Sequence, residues 1–275
     1  MAGTLYVVAT PLGNLGDLSP RAADTLKRVA AVAAEDTRHS KPLLHHVGSR
    51  AELVSFHAHS SERALEHILR ILSEGRDVAL ITDAGTPAIS DPGVALVAAA
   101  RERGIPIVTI PGPTAVAASL SVSGIGGDRY LFLGFLPRKG SDRRRLLLTA
   151  ASSEWTVVMF ESPNRVAQLL ADLIDVCGPE RQVAISRELT KVFEETRAGT
   201  LQELSEHYAD APVRGEVTLV LSGTRMPRVE DQPPDPSARA KALLDEGLSR
   251  KDVAHRLAEE TGISRNTAYR LVNEL

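Results

Sequence analysis

The chain has 275 residues, of which 43% are hydrophobic and 24% charged, and its formal net charge is −3. The length suits two or three domains, and this composition excludes a fibrous or a disordered protein. The small negative charge predicts no strong attraction of the whole chain to nucleic acid, so any such contact requires local basic patches.

The beginning of the sequence gives no sign of a targeting segment. Residues 1–9 lack a basic stretch, and their apolar run is too short for the core of a signal peptide or for a membrane span. No later segment is long and apolar enough to cross a bilayer. The single cysteine, Cys177, excludes an internal disulfide and argues against a thiolate zinc site. We therefore expect a soluble protein of the cytoplasm.

Short apolar segments alternate with amphipathic helical patterns in the first part of the chain. Segments such as 78–81 are apolar at every position, which is typical of parallel strands that are covered on both faces. The alternation predicts an α/β domain with a parallel sheet over residues 1–112. Its predicted strands are 5–9, 30–34, 53–56, 78–82 and 105–110, and its helical patterns include 20–28, 61–72 and 92–103.

A second series of strands begins near Arg129. The last three of them follow one another closely, which indicates a mixed sheet. We expect a second α/β domain over residues 113–224, with a hinge within 111–126. Its predicted strands are 130–135, 156–160, 183–186, 193–198 and 217–221, with helices near 142–150 and 164–176.

The composition changes after residue 224. Residues 225–236 combine prolines with charged residues, which predicts an extended linker. Three short helical patterns follow, at 237–245, 249–260 and 264–274, and the last two begin at the N-cap candidates Ser249 and Ser264. This layout predicts a small helix-turn-helix module over residues 237–275.

Three turns rich in glycine and proline each follow a predicted parallel strand, at residues 9–15, 82–93 and 111–115. Open α/β sheets bind ligands at this edge, and glycine lets the backbone approach a ligand closely. A single turn is equally well explained as a connection between a strand and a helix, and Asp91-Pro92 has the pattern of a helix cap. Three turns at one edge indicate a binding site. A Walker A loop, a G-x-G-x-x-G turn and an H-E-x-x-H motif are all absent from the sequence.

Eight segments, in order along the chain, resemble the tetrapyrrole methylase superfamily, and within it the methyltransferases of ribosomal RNA. The resemblance implies two α/β domains that hold S-adenosyl-L-methionine between them, and a homodimer. It also implies methylation of the ribose 2′-hydroxyl of a cytidine in the decoding region of 16S ribosomal RNA, as free RNA or in the small subunit. The segments are 9–14, 34–38, 55–57, 82–93, 111–115, 132–137, 160–163 and 187–191.

The resemblance also assigns the cofactor contacts, to the three turns and to the end of one strand of the second domain. Enzymes that methylate tetrapyrroles usually carry Gly-Asp-Pro where this chain has Gly85-Thr86-Pro87, a departure that favours a different methyl acceptor. The expected cofactor-binding residues are Pro11, Leu12, Gly13, Asp83, Gly85, Thr86, Pro87, Ile89, Ser90, Thr114, Ala115, Phe160, Glu161 and Ser162.

A ribose hydroxyl is a weak acid, so the base that removes its proton needs a raised carboxylate pKa or a depressed lysine pKa. Two charged clusters, 35–38 and 187–191, match the family pattern. We expect Glu188 or Lys191 to assist deprotonation and Arg187 to bind backbone phosphate. The alternative is that these side chains form ion pairs across the domain cleft. The expected catalytic residues are Glu188, Lys191, Asp36 and Arg187.

The densest basic run, residues 138–145, is a candidate for tracking RNA phosphates, although charge runs are usually solvated helix starts. His57 and His59 could share one face of a strand as metal ligands do. No third ligand lies nearby in sequence, and methyl transfer from a sulfonium needs none, so we expect no metal. The expected RNA contacts are Arg38, His57, Arg138, Lys139, Arg143, Arg144 and Arg145.

Two other functions stay open. A small-molecule methyltransferase acting on a tetrapyrrole precursor explains the turns, but not the basic run, the charged clusters or the terminal helices. A non-enzymatic regulator that binds nucleic acid explains the helix-turn-helix module alone. The module itself is compatible with dimer support, docking to folded RNA or sequence reading, because its fold does not decide among them.

Overall fold

The computed structural model describes residues 2–57, 62–90, 93–209, 215–224, 236–261 and 263–274. The chain divides into two compact units, Met1–Thr224 and Arg225–Leu275. The first unit contains two five-stranded sheets, and the second contains three helices. In the described part of the chain, no helix has both the length and the apolar character that a membrane crossing requires.

The first sheet is entirely parallel, with the strand order β3-β2-β4-β1-β5. β2 and β4 are buried at every position because helices cover both faces of the sheet. The predicted strands are confirmed, with ends that differ by one or two residues. The strands are β1 (Leu5–Val8), β2 (Ala31–Ala34), β3 (Glu52–Ser55), β4 (Val78–Ile81) and β5 (Ile107–Ile110), and the helices are α1 (Pro20–Arg28), α2 (Thr37–His46), α3 (Glu62–Ser73) and α4 (Val94–Glu102).

Two apolar layers hold this sheet between its helices. Ile68 from α3 packs in the layer on one face, and Leu26 from α1 packs in the layer on the other, both at 0% exposure. Each such side chain contributes about 1.5–3 kcal/mol by leaving water. The sequence also defines where α1 begins, since the hydroxyl of Ser19 accepts a hydrogen bond from the backbone N–H of Ala22 at 3.1 Å.

The second sheet is mixed, with the strand order β6-β7-β10-β8-β9. β6 and β7 are parallel and the other pairs are antiparallel, so the prediction of a mixed sheet is confirmed. The elements of this half are α5 (Ala115–Val122), β6 (Tyr130–Phe135), α6 (Ser141–Ser152), β7 (Thr156–Glu161), α7 (Val166–Cys177), β8 (Gln182–Arg187), β9 (Glu195–Thr200), α8 (Leu201–Ala209) and β10 (Val217–Leu221).

The sequence patterns did not reveal three of these helices, namely α2, α5 and α8. α2 is polar and carries Pro42 inside it, which normally argues against a helix. α5 lies in the predicted hinge, 111–126, and its apolar residues do not form a one-sided helical stripe. The helix packs on β10, and its Val116 joins a buried cluster with Val158 and Val220. Half of the segment in which the hinge was predicted is therefore an ordered helix.

The carboxy-terminal unit consists of α9 (Pro236–Asp245), α10 (Arg250–Thr261) and α11 (Arg265–Glu274), as predicted within one residue at each start. Leu243, Leu257 and Val272, one from each helix, share its buried core. The hydroxyls of Ser249 and Ser264 accept hydrogen bonds from backbone N–H groups three residues on, as N-cap residues do.

Several predictions fall outside the described residues. These are Ser61 at the start of a predicted helix, the Asp91-Pro92 cap, His59 and residues 225–235 of the predicted linker. Pro236, predicted as the end of the linker, is instead the first residue of α9. Proline suits this position because a backbone N–H there would have no hydrogen-bond acceptor within the helix.

Candidate active site

The three glycine- and proline-rich turns lie side by side because they follow the adjacent strands β4, β1 and β5. Thr10 and Gly85 exchange backbone hydrogen bonds of 2.9 and 3.1 Å. The hydroxyl of Thr10 also donates to the Thr82 carbonyl oxygen at 3.1 Å, and that of Thr86 donates to the Pro113 carbonyl oxygen at 3.2 Å. The turns therefore form one hydrogen-bonded edge, as the sequence predicted.

A cavity of about 380 Å³ opens between this edge and the second sheet. The second sheet contributes the ends of β6 and β7 and the start of β10, which meet at one edge because β10 runs antiparallel to β7. The size is in the range of small-molecule sites. The lining residues are Leu12, Glu35, Thr82, Asp83, Ala84, Gly85, Thr86, Ile89, Thr114, Ala115, Phe135, Phe160, Glu161, Ser162, Pro163, Glu216, Val217 and Thr218.

Four of the predicted cofactor residues do not lie on the cavity wall: Pro11, Gly13, Pro87 and Ser90. Pro11 is buried. Ser90 instead packs against β6, since a Cβ on Gly134 would lie 2.6 Å from its Oγ. Gly13 lies beneath the side chain of Lys191. The structure places the other predicted cofactor residues on the wall, namely Leu12, Asp83, Gly85, Thr86, Ile89, Thr114, Ala115, Phe160, Glu161 and Ser162.

The ionisable side chains that line the cavity are all carboxylates: Glu35, Asp83, Glu161 and Glu216. Glu161 is 1% exposed, and its Oε1 accepts a hydrogen bond from the backbone N–H of Ser162 at 2.8 Å. Its Oε2 lies 3.2 Å from the Arg165 guanidinium without an aligned hydrogen bond. A wall with this charge favours a cationic ligand.

Aromatic rings form the apolar side of the same cavity. Phe160 packs against Phe135 with ring centroids 5.4 Å apart, and against Phe132 at 4.9 Å. Phe135 is nevertheless 57% exposed. Planar apolar surface of this kind suits a heteroaromatic ring, and it also attracts a cation.

The second charged cluster lies beside the cavity, not on its wall. Lys191 Nζ is 2.9 Å from Glu188 Oε1 and 3.6 Å from Glu216 Oε2. Burial lowers the pKa of Lys191, but its hydrogen bond to Glu188 and the charges of both carboxylates outweigh burial and raise it. This arrangement therefore does not supply the depressed pKa that a lysine base requires. These contacts are ion pairs, but all three side chains belong to the half that contains the second sheet, so the pairs do not cross the cleft as the alternative expected.

Arg187 is also engaged, since it pairs with Glu195 at 2.5 Å across the β8–β9 ladder. The guanidinium of Arg187 holds the pKa of Glu195 below its usual value, chiefly through their hydrogen bond. Arg187 is thus not poised to bind phosphate as predicted, because its side chain already has a carboxylate partner on the neighbouring strand.

Two loops at this site hold non-glycine residues in the left-handed region of backbone conformation. Ala88 and Ser90 have φ of 67° and 61° in the turn after β4, and Glu188 and Thr190 have φ of 51° and 66° in the loop after β8. In the described residues, positive φ at non-glycine positions occurs in these two loops alone. Such strain costs about 1–3 kcal/mol for each residue and concentrates at functional sites.

The first charged cluster, residues 35–38, begins on the cavity wall with Glu35. Asp36 caps α2 by accepting a hydrogen bond from the Arg38 backbone N–H at 2.8 Å, and it also binds the Arg38 side chain. These hydrogen bonds to Arg38 hold the pKa of Asp36 well below its usual range. The Asp36 N–H donates to Asp83 Oδ1 at 3.2 Å, and Asp83 Oδ2 lies 3.1 Å from His39 Nδ1.

The basic run divides into buried and exposed residues. Arg138, Lys139, Arg144 and Arg145 are exposed. Arg143 is not, since its side chain is 9% exposed, and it donates to Asp172 Oδ2 at 2.8 Å and to the Pro137 carbonyl oxygen at 3.0 Å. The prediction of Arg143 as an RNA contact is therefore wrong, because the helical period turns this arginine toward α7.

His57 is exposed at the end of β3. Among the residues that the structure describes, no three His, Cys, Asp or Glu side chains gather as ligands of a metal ion would.

Sequence reasoning missed several residues of the site. Glu216, Val217 and Thr218 enter through the start of an antiparallel strand, and no turn motif marks them. His39 follows a recognised segment, but its approach to Asp83, forty-four residues further along the chain, is decided by packing. The other lining residues without a predicted cofactor contact were Glu35, Thr82, Phe135 and Pro163.

The first unit thus combines a parallel and a mixed five-stranded sheet with a cavity that both sheets line. The model of the family Tetrapyrrole (Corrin/Porphyrin) Methylases matches residues 4–205. Ribosomal RNA small subunit methyltransferase I of Synechocystis sp. is 42% identical, with coverage of 99% of this chain and 98% of that protein. The protein of the same name from Pseudomonas aeruginosa is 43% identical over 98% and 96%. The chain therefore belongs to the tetrapyrrole methylase family, in the group of ribosomal RNA small subunit methyltransferase I.

Solved structures share the fold at lower identity. The methyltransferase CobJ superposes with a TM-score of 0.64 at 18% identity, over 83% of this chain and 97% of its own. A uroporphyrin-III C-methyl transferase from Thermus thermophilus, complexed with S-adenyl homocysteine, gives a TM-score of 0.59 at 19% identity over 80% and 97%. This likeness establishes the architecture.

Proposed function

We propose that this chain transfers the methyl group of S-adenosyl-L-methionine to the ribose 2′-hydroxyl of a cytidine in the decoding region of 16S ribosomal RNA. The observation that carries the proposal is the cavity between the two sheets, whose ionisable lining residues are all acidic. The names of the relatives that match over the full chain supply the class of acceptor, a ribosomal RNA of the small subunit.

The cavity fits the proposed cofactor in charge and in shape. Its sulfonium and ammonium groups are cations, and Glu161 offers a buried carboxylate oxygen that lacks an aligned hydrogen bond. Gly85, Ala84 and Ala115 leave the backbone accessible to the ligand. Phe160 offers an apolar face for the adenine ring. When bound, the cofactor supplies a methyl group that its positive sulfur already activates.

The loop after β8 is proposed to position the acceptor nucleotide. Lys191 keeps its charge at neutral pH and stands beside Glu216, a residue of the cavity wall. Glu188 holds that ammonium in place, with its backbone in the left-handed region. Arg187 and Asp36 act indirectly. Arg187 anchors β9 through its ion pair with Glu195, and Asp36 caps the start of α2. Positioning of this kind accounts for much of the rate of a reaction whose donor is already activated.

Exposed cations near the site are proposed to bind the RNA backbone. Arg38 is 86% exposed even though it pairs with Asp36. Arg138, Lys139, Arg144 and Arg145 form a basic surface at the start of α6, which we call the α6 basic surface. His57 is proposed to contact the substrate. Surface cations suit a substrate with one negative phosphate per nucleotide, whereas the acidic cavity suits the cofactor.

We further propose that the chain acts as a homodimer in the cytoplasm, where its substrate is assembled. The first unit is proposed to consist of two domains, 1–112 and 113–224, followed by the linker 225–236 and the helical module 237–275. The packing of α5 on β10 supports the first of these boundaries. Light scattering of the purified protein measures the number of copies directly.

The decisive experiment is methyl transfer from labelled S-adenosyl-L-methionine to small subunits from a strain that lacks this enzyme. The labelled nucleoside is then identified by mass spectrometry. We expect 2′-O-methylcytidine. If the cofactor binds but neither subunit nor free RNA takes up label, the RNA assignment is wrong, and a tetrapyrrole precursor becomes the acceptor to test.

A further inference from the structure

Asp83 and His39 form a hydrogen-bonded pair at the rim of the cavity. Asp83 lines the cavity and follows β4, and His39 lies in the first turn of α2. The distance between Asp83 Oδ2 and His39 Nδ1 is 3.1 Å. The other oxygen of Asp83 accepts a hydrogen bond from the Asp36 backbone N–H at 3.2 Å, which fixes the carboxylate between two elements of the first sheet.

This pairing decides which nitrogen of His39 carries the proton in the neutral ring. An ionised carboxylate only accepts hydrogen bonds, so the proton resides on Nδ1. Nε2 is then left as an acceptor, and the His39 side chain is 73% exposed. An imidazole oriented by a carboxylate, with its second nitrogen open, is the arrangement that removes protons from hydroxyl groups in hydrolases.

We infer that His39 is the general base of the methyl transfer and that Asp83 orients it, an inference that rests on the proposed function. The 2′-hydroxyl oxygen forms a bond to the methyl carbon while its proton passes to His39 Nε2. The bond between carbon and sulfur breaks, and its electron pair stays on sulfur, which becomes a neutral thioether. Asp83 then faces an imidazolium, whose charge it stabilises.

The alternatives beside the cavity are poorer bases. Lys191 is held in its charged form by Glu188 and Glu216, so it has no lone pair to accept a proton. Glu188 Oε1 already accepts a hydrogen bond from that ammonium. His39, in contrast, has a carboxylate partner on one nitrogen and solvent at the other.

The surroundings of His39 also set the pH at which it can accept a proton. The hydrogen bond and charge of Asp83, and then the charge of Asp36, raise the pKa of His39 above 6.5, while burial and Arg38 act in the opposite direction. Below that raised pKa the ring is protonated and cannot act as a base. The rate of methyl transfer is therefore expected to rise as pH increases through it.

The first test follows the ring itself and needs no turnover. Nuclear magnetic resonance of the full chain, with labelled histidine and without any ligand, gives the pKa of His39. We expect the pKa of His39 to lie above 6.5, and we expect Asp83→Asn to lower it. A His39 pKa that Asp83→Asn leaves unchanged would overturn the pairing.

The second test distinguishes a catalytic role of His39 from a purely structural one. His39→Ala is expected to lower kcat on small subunits about 100-fold or more, the contribution typical of a general base. Its affinity for S-adenosylhomocysteine, measured by calorimetry, is expected to stay within about twofold. His46→Ala is the matched control, since it removes a histidine from the same helix outside the site, and it should keep the activity of the wild-type protein.

The outcomes also separate this inference from the proposed function. If the wild-type protein methylates the subunit and His39→Ala is as fast across the pH range, His39 is not the base, whereas the function stands. If Asp83→Asn moves the acidic limb of the pH–rate profile to lower pH, the pair acts as inferred. If that limb does not move, the inference is wrong. If the wild-type protein methylates no RNA, the proposed function fails, while the pKa measurement still tests the pairing.

Discussion

The side chain of Lys191 lies directly across the backbone of Gly13. A Cβ at Gly13 would come within 2.3 Å of Lys191 Cγ and 2.7 Å of its Cε. The close approach joins the turn after β1, in the first sheet, to the loop after β8, in the second. Glycine is needed at this point because the lysine stem occupies the space of a side chain.

The Gly13→Ala variant tests this contact. The clash involves the middle of the lysine stem, so the ammonium must leave Glu188 and Glu216. We expect kcat/KM on small subunits to fall about 10- to 100-fold, as small misplacements near a reaction centre do. Cofactor affinity should hardly change, since Gly13 is not on the cavity wall. Unchanged turnover would show that the position of Lys191 is unimportant.

Arg143 and Arg144 are neighbours with opposite roles. Arg143→Ala leaves Asp172 partly buried without its partner, which we expect to lower the free energy of unfolding by about 3 kcal/mol. Arg144→Ala, the matched control on the exposed side of α6, should change it by less than about 0.5 kcal/mol. Urea unfolding measures both. Equal stabilities would contradict the structural role of Arg143.

The α6 basic surface makes a prediction about salt. If Arg144 and Arg145 each contact a phosphate, changing both to alanine should weaken binding to the small subunit. The slope of log K against log salt should fall by about 0.7–0.9 for each arginine. Binding measured at several salt concentrations tests this. A variant with lower affinity and an unchanged slope would argue against phosphate contacts.

Glu161 is predicted to recognise the charge of the cofactor. Glu161→Gln keeps the shape of the side chain and its contact with the Ser162 N–H, but removes the negative charge from the cavity. We expect S-adenosyl-L-methionine to bind about tenfold more weakly. S-adenosylhomocysteine, which lacks the sulfonium charge, should lose less affinity. Equal losses for both ligands in calorimetry would indicate that Glu161 has a purely structural role.

The Arg187–Glu195 pair predicts a pH dependence of stability. Arg187 lowers the pKa of Glu195 in the folded protein below 4.5. The stabilising contribution is therefore complete above about pH 4.5 and is lost as pH falls through the lowered pKa. Glu195→Gln should be less stable at pH 7, by less than about 1 kcal/mol, and this difference should vanish in acid. Glu180→Gln, at an exposed position, should show no such trend.

Local patterns in the amino-acid sequence were enough to predict the layers of the fold and the edge at which the site lies. Apolar runs such as 78–81 follow the period of buried strands, and glycine and proline mark the turns after them. Both signals are local, because they depend on residues next to one another in the chain. The resemblance to the tetrapyrrole methylases then assigned Leu12, Gly85 and Thr114 to the cofactor site, and all three line the cavity.

The roles of the charged residues, in contrast, depend on how distant segments pack. Arg143 and Arg144 belong to one run in the sequence, yet one is buried against Asp172 and the other is exposed. His39 meets Asp83, and Lys191 meets Glu216, across separations that no local pattern encodes. The reason is physical: a charged side chain takes its role from its partner and its burial, and both are set by the packing of distant segments.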